Sequence, residues 1–330
     1  MLNRKPSLVT MSGSMKTPNA DSADSAAVTS TDLLAQLRVE VAAHFAGVPA
    51  SQRDVATAIP YLSFIRICQP TDLSRGMLEP SMCMVVQGRK KVLIGKTVNH
   101  YGSGSYVLSA IDLPVSGQIV EADEDAPYYG VRIDLDPKEI AAFIIELNIP
   151  APPKRSTRVG AYVEESDAEL QETFLRLIRL LKKPQDIPAM SRILKQEIMY
   201  RLISAQNGDV LYHTVLSHYQ ERGVNDAIQW IKQNYAEPMS IEKLAKQVRM
   251  SVSTLHHRFK ATTVMSPLQY QKQTRLLEAR RMLMAGGIEA ATVAYKVGYE
   301  SPSQFSREYR RLFGASPLQD VEYLRHHAVE

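Results

Sequence analysis

At 330 residues the chain is long enough for two or three domains, and 45% hydrophobic with 22% charged residues is the make-up of a water-soluble globular protein. No apolar run approaches the roughly eighteen residues of a membrane-spanning helix. Two cysteines, Cys68 and Cys83, exclude a disulfide framework, read as buried free thiols and suit a reducing cytoplasm. The net charge of +4 is uneven: from Val224 onward 15 Lys and Arg stand against 10 Asp and Glu, and the rest is close to neutral. A polyphosphate partner requires such a local excess.

Residues 1–30, rich in Ser, Thr, Ala and Asp and without a signal-peptide core, predict a disordered tail. Ser30 or Thr31 then caps a helix whose apolar positions are Leu33, Leu34, Leu37, Val41 and Phe45. From about Thr57 to Leu135 the pattern changes. Strand-like runs occur at Leu62–Cys68, Met82–Val86, Lys91–Ile94, Tyr106–Ser109, Ser116–Val120 and Tyr128–Ile133, separated by turn-forming pieces. Many short strands at this spacing predict a sandwich or barrel.

A barrel of this kind can be an enzyme if it carries a metal, which takes closely spaced histidines and a carboxylate. His100 is the single histidine of the region, so neither a metal centre nor another cofactor is expected. Asp112, Glu121 and Asp123 to Asp125 read as turn and rim charges rather than a paired acid and base. A barrel interior can also hold a small-molecule effector, with Met82, Met84, Val86, Tyr106 and Tyr128 as its lining. Strand alternation fits plain core equally well.

Beyond the barrel, a helix over residues 138–147 closes it, and a Pro-rich break at 150–154 leads into a basic patch from Lys154 to Arg158. Two amphipathic helices follow at about 168–181 and 189–205. A helix over Asp226–Tyr235, with Trp230 in its core, opens the last domain.

That domain contains a repeat. Ile241–Val248, a three-residue turn and Val252–Lys260 form one helical pair; Ile288–Val297, a four-residue turn and Pro302–Arg310 form another. Both carry a central alanine (Ala245, Ala294), a serine cap on the second helix (Ser251, Ser301) and an apolar anchor four residues before an aromatic: Leu255 with Phe259, Phe305 with Tyr309. These are helix-turn-helix features. Between the pairs lies a rod, Pro267 to Ala285, capped by Ser266 and stopped by Gly286 and Gly287. Its residues at about 1.5 Å each span roughly 30 Å, close to the roughly 34 Å of one DNA turn. Two such pairs joined by such a rod form a far more specific pattern than either pair alone.

From about Asn225 to Arg325 the chain resembles the DNA-binding domain of the AraC/XylS regulators, most closely in A-x-x-V-G-Y-x-S-x-S-x-F-S-R-x-Y-R-R-x-F-G-x-S-P, Ala294 to Pro317. Residues from Glu79 to Pro137 resemble the cupin-like N-terminal domain of one subgroup of that family. The resemblance implies an α+β multidomain fold: a cupin-like β-barrel with flanking helices, then an all-α domain with two helix-turn-helix units joined by a long helix. The expected division is a tail at 1–30, a sensor domain at 31–150, a helical dimerisation region at 151–222 and a DNA-binding domain at 223–330.

By position, Ser253, His256 and His257 of the first reading helix and Ser303, Gln304, Ser306 and Arg307 of the second would face base edges, in adjacent major grooves of double-stranded DNA. Arg258, Lys260, Arg275, Arg310 and Arg311 would contact phosphates. The resemblance further implies a cytoplasmic homodimer that contacts RNA polymerase, as an activator rather than a repressor, and no enzyme. Two rivals are a cupin enzyme with a DNA-binding appendage and a ligand-binding protein that no longer binds DNA.

Overall fold

The structure, a computed structural model, describes residues 29–153, 160–220 and 223–329; the predicted tail up to residue 28 and the basic patch Lys154 to Arg158 lie outside them. The chain opens with α1 (Ser30–Ala43), where Thr29, one residue earlier than expected, makes a capping box with Asp32. Nine strands follow: β1 (Asp54–Ala56), β2 (Leu62–Ile67), β3 (Ser74–Leu78), β4 (Ser81–Gln87), β5 (Arg89–Ile94), β6 (Thr97–Gly102), β7 (Ser105–Ser109), β8 (Leu113–Glu121) and β9 (Tyr128–Asp134). After α2 (Pro137–Glu146) comes β10 (Ala161–Glu165), in a stretch where a helix was expected next.

The strands make two antiparallel sheets, one in the order β1-β2-β9-β4-β7-β10 and the other β3-β8-β5-β6. No pairing among the described residues joins them. The cupin-like unit is therefore a two-sheet sandwich rather than one closed barrel.

The larger sheet is buried on both faces. Register places Met84 opposite Val131 and Tyr106, and Met82 opposite Ile133 and Leu108. That face packs on α1, on α3 (Ala168–Leu180), and on α4 (Ile187–Ser204) and α5 (Gly208–Gln220) beyond it, through Leu37, Phe174, Ile198 and Leu211. Cys83, Val85, Val107 and Tyr128 point the other way, toward Val92, Ile94, Tyr101 and Ile119 of the smaller sheet. A strand covered on both sides reads as an unbroken apolar run, which is what Met82 to Val86 is.

The remaining helices are α6 (Val224–Gln233), α7 (Ile241–Gln247), α8 (Val252–Thr263), α9 (Pro267–Ala285), α10 (Ala290–Lys296), α11 (Pro302–Phe313) and α12 (Pro317–Val329). The rod has the predicted ends, with Ser266 and Gln269 in a capping box and Pro267 at its first position. Its apolar stripe is largely inward, Tyr270, Leu276, Ala279 and Leu283 being buried, whereas Leu268 is exposed. Near its end Arg280 grips Asp320 of α12 with two hydrogen bonds of 2.8 Å and stacks over Phe313 at 4.6 Å. Asp320 also accepts a 2.7 Å bond from the Tyr309 hydroxyl, so one buried carboxylate joins α9, α11 and α12. Replacement by Asp320→Asn is expected to lower stability by about 3 kcal/mol in urea unfolding, because it strands a mostly buried guanidinium.

Candidate nucleic-acid interface

Each reading helix starts on a serine cap. Ser251 Oγ accepts from the Thr254 amide at 3.2 Å, and Ser301 Oγ from the Gln304 amide at 3.4 Å. The caps fix where each helix begins, and helical spacing then sorts its residues. Leu255 and Phe259 of α8, and Phe305 and Tyr309 of α11, point inward and are fully buried. The opposite faces carry the polar residues. Ser253 and His257 are exposed and His256 half-buried on α8, and Ser303, Gln304 and Arg307 are exposed and Ser306 half-buried on α11. All seven residues assigned to base reading thus lie on the outer faces of two helices.

Of the five assigned to phosphates, Arg258, Lys260, Arg310 and Arg311 are exposed. Arg275 is not available. Its Nε donates to the Tyr235 carbonyl at 2.6 Å, Nη1 to the Gly298 carbonyl at 2.8 Å, and Nη2 to the Ala236 and Glu237 carbonyls at 3.2 and 3.0 Å. Burial pulls its pKa below the ordinary arginine value without threatening its charge. Tyr235 to Glu237 belong to the first unit and Gly298 to the second, so Arg275 joins the two units instead of meeting DNA.

Gly298 shows how closely they meet. It has φ +88°, and a Cβ there would lie 2.0 Å from the Ala236 carbonyl oxygen. On the second unit, Lys272 pairs with Glu308 at 2.8 Å, and Glu308 accepts from the Tyr299 hydroxyl at 2.8 Å. The reading helix α11 is therefore fastened to the rod by two polar clusters. The first unit is fastened to the rod by Gln271, whose Nε2 donates to the Tyr235 and Glu237 carbonyls at 3.1 and 2.8 Å, and by apolar packing, with the Phe259 and Tyr270 rings edge to face at 5.5 Å.

The residues assigned to an effector pocket fall on two opposite faces of the larger sheet. Met82, Met84, Val86 and Tyr106 face the helical layer, and only Tyr128 lies between the sheets. All five are buried core. Two cavities lie elsewhere: one of about 770 Å³ beside Pro150 to Pro153 and Tyr200, and one of about 210 Å³ between the outer face of the smaller sheet and α9. Asp112, read as a rim charge, is buried. Sequence reasoning also missed Arg280, Asp320 and Glu308 as fasteners; their one legible signal was a basic residue on the rod.

A model of the AraC-type transcriptional regulator N-terminus matches residues 58–210, and a helix-turn-helix domain model matches residues 244–322. The transcriptional activator RhaS of Pectobacterium carotovorum subsp. carotovorum is 31% identical over 140 residues, covering 42% of this chain and 49% of that protein. The virulence regulon transcriptional activator VirF of Yersinia enterocolitica is 25% identical over 150 residues, covering 46% and 55%. The chain spans about half the length of the curated relatives it matches. Among solved structures, ToxT from Vibrio cholerae O395 bound to (E)-4-(8-methylnaphthalen-1-yl)but-3-enoic acid has a TM-score of 0.54 at 11% identity, over 79% of this chain and 97% of that one. A second ToxT structure from the same source has a TM-score of 0.51 at 9% identity, over 79% and 96%. At these identities the likeness is one of fold.

Arg275→Met is expected to cost about 2 to 4 kcal/mol in urea unfolding. It should leave the salt dependence of DNA affinity unchanged; a slope shallower by about 1, with unaltered stability, would restore a phosphate role.

Proposed function

Because the chain belongs to the AraC-type transcriptional regulators, matched in both its N-terminal and its helix-turn-helix parts, we propose that it binds a specific double-stranded DNA site and regulates transcription there. The observation that carries this reading is the pair of capped helices, α8 and α11, whose apolar sides are fully buried while Ser253, His257, Ser303, Gln304 and Arg307 are exposed. Set along a rod of about one DNA turn, they suit two successive major grooves. Arginine can hold guanine and glutamine adenine through paired hydrogen bonds, while Arg258, Lys260, Arg310 and Arg311 supply charge for the backbone. The protein acts in the cytoplasm as an activator that contacts RNA polymerase; the names of its relatives support the direction of regulation.

A second copy of the chain is the proposed partner of α4. Met190, Ile193 and Tyr200 are exposed on that helix, and Ile145 and Leu147 at the end of α2 are exposed too. Apolar groups on a helix edge are what two copies related by a twofold axis can bury. A small-molecule effector remains part of this reading, supported by the fold shared with ToxT, a protein solved with a bound small molecule; the five residues first assigned to its pocket are packed core. The regulator reading is preferred to the enzyme alternative because the matched family models and the named relatives are those of transcription regulators.

Two outcomes test these assignments. Arg307→Ala should weaken binding to a selected DNA site by about 1 to 3 kcal/mol and relax preference at one base pair, read by competition against mismatched duplexes. Ile193→Asp should shift the chain toward monomer in sedimentation equilibrium without changing its circular dichroism.

A further inference from the structure

The two reading units are anchored differently. The second has its own core, built on Leu276, Val293, Phe305 and Tyr309. The core of the first, which includes Leu244, Val248 and Leu255, is continuous with that of the sandwich. Ile228, Ile231 and Phe259 belong to one apolar cluster that continues through Ile111 and Leu113 into the space between the sheets.

Asp112 sits at that seam, between β7 and β8, and is 3% exposed. Its Oδ1 accepts from Lys232 Nζ at 2.7 Å and its Oδ2 from Gln229 Nε2 at 3.1 Å, both on α6. Its main-chain oxygen accepts from the Tyr270 hydroxyl on α9 at 2.9 Å. Burial, and then the charge of Asp112, raises the pKa of that phenol, so it remains a donor. A carboxylate this deeply buried is tolerable only while such partners hold it. Contacts of the sandwich with the second unit are slighter: Tyr323 with Asp72, both exposed, and a 3.4 Å bond from Arg280 to the Arg75 carbonyl. The docked sandwich covers neither reading face, since Ser253, His257, Gln304 and Arg307 remain exposed. This contact therefore cannot work by masking DNA-binding residues.

We propose that Asp112 is a positioning residue for DNA recognition, setting the pose of the first helix-turn-helix through Lys232, Gln229 and Tyr270, whereas the second is held mainly by the rod and α12. The proposal rests on α8 and α11 being the reading helices. Under it, a charge in the N-terminal sandwich tunes base discrimination in one groove and leaves the other groove unaffected.

The test uses the full chain. Wild-type protein selects duplexes from a random-sequence library, and base pairs are assigned to α8 or α11 by which preferences are lost in His257→Ala and in Arg307→Ala. Competition against single mismatches is then measured for Asp112→Asn and Lys232→Met, with circular dichroism and thermal unfolding confirming that each folds. If Asp112→Asn fails to fold, Lys232→Met, which alters the more exposed partner, carries the test. Expected is a roughly threefold to tenfold loss of discrimination at the α8 base pairs, no change at the α11 base pairs, and a double variant no worse than the weaker single one. Wild-type discrimination at both sets, or an equal loss at both, would overturn the proposal; the second result would leave Asp112 a merely structural residue. A wild-type chain that selects no duplex would overturn the DNA-reading assignment itself, before any variant is compared.

Discussion

The arrangement of the two helix-turn-helix units depends on one guanidinium. Arg275 lies midway along the rod and distributes its donors over carbonyls of both helix-turn-helix units, at Tyr235, Ala236, Glu237 and Gly298. A planar fork can bind several acceptors in fixed directions, so it sets the angle between the units as well as holding them together. Gly298 completes the constraint from the other side, since the turn before α11 approaches the Ala236 carbonyl more closely than any side chain would allow. The relative placement of the two units is thus expressed in main-chain contacts around a single side chain.

Much of this was legible in the sequence where the determinants are local. Serine caps, a proline at the first helical turn, glycines after the last, and an anchor four residues before an aromatic all act within a turn or two of the chain. Hence the reading helices and the rod lie where they were expected. The exposed base-reading faces follow from the same periodicity. Arg275 was misassigned because a basic residue on a helix has the same appearance whether it meets a phosphate or a carbonyl. What distinguishes the two is a bend of backbone about forty residues away in the chain.

The sandwich was harder to read for a different reason. Alternation identifies the buried face of a strand only when the other face meets water, and β4 meets water on neither. The faces of Met82 and Cys83 therefore could not be told apart, and the interior was assigned to the wrong set. Asp112 failed for want of range. Its partners Gln229 and Lys232 lie 117 and 120 residues downstream, and nothing near it suggests that it is covered. Short strands β1, β3, β6 and β10 escaped too, since three to six residues carry little pattern.

The unequal anchoring of the two units makes the protein's two hands respond differently to their surroundings. The first shares an apolar core with the sandwich, an attraction that fades on cooling, and is also held to it by Asp112 through Lys232 and Gln229. The second is held by carboxylates gripped by Lys272 and Arg280, whose attraction does not depend on the ordering of water around hydrocarbon. Cooling therefore weakens the apolar seam between the sandwich and the first unit, while the ion pairs at both units persist.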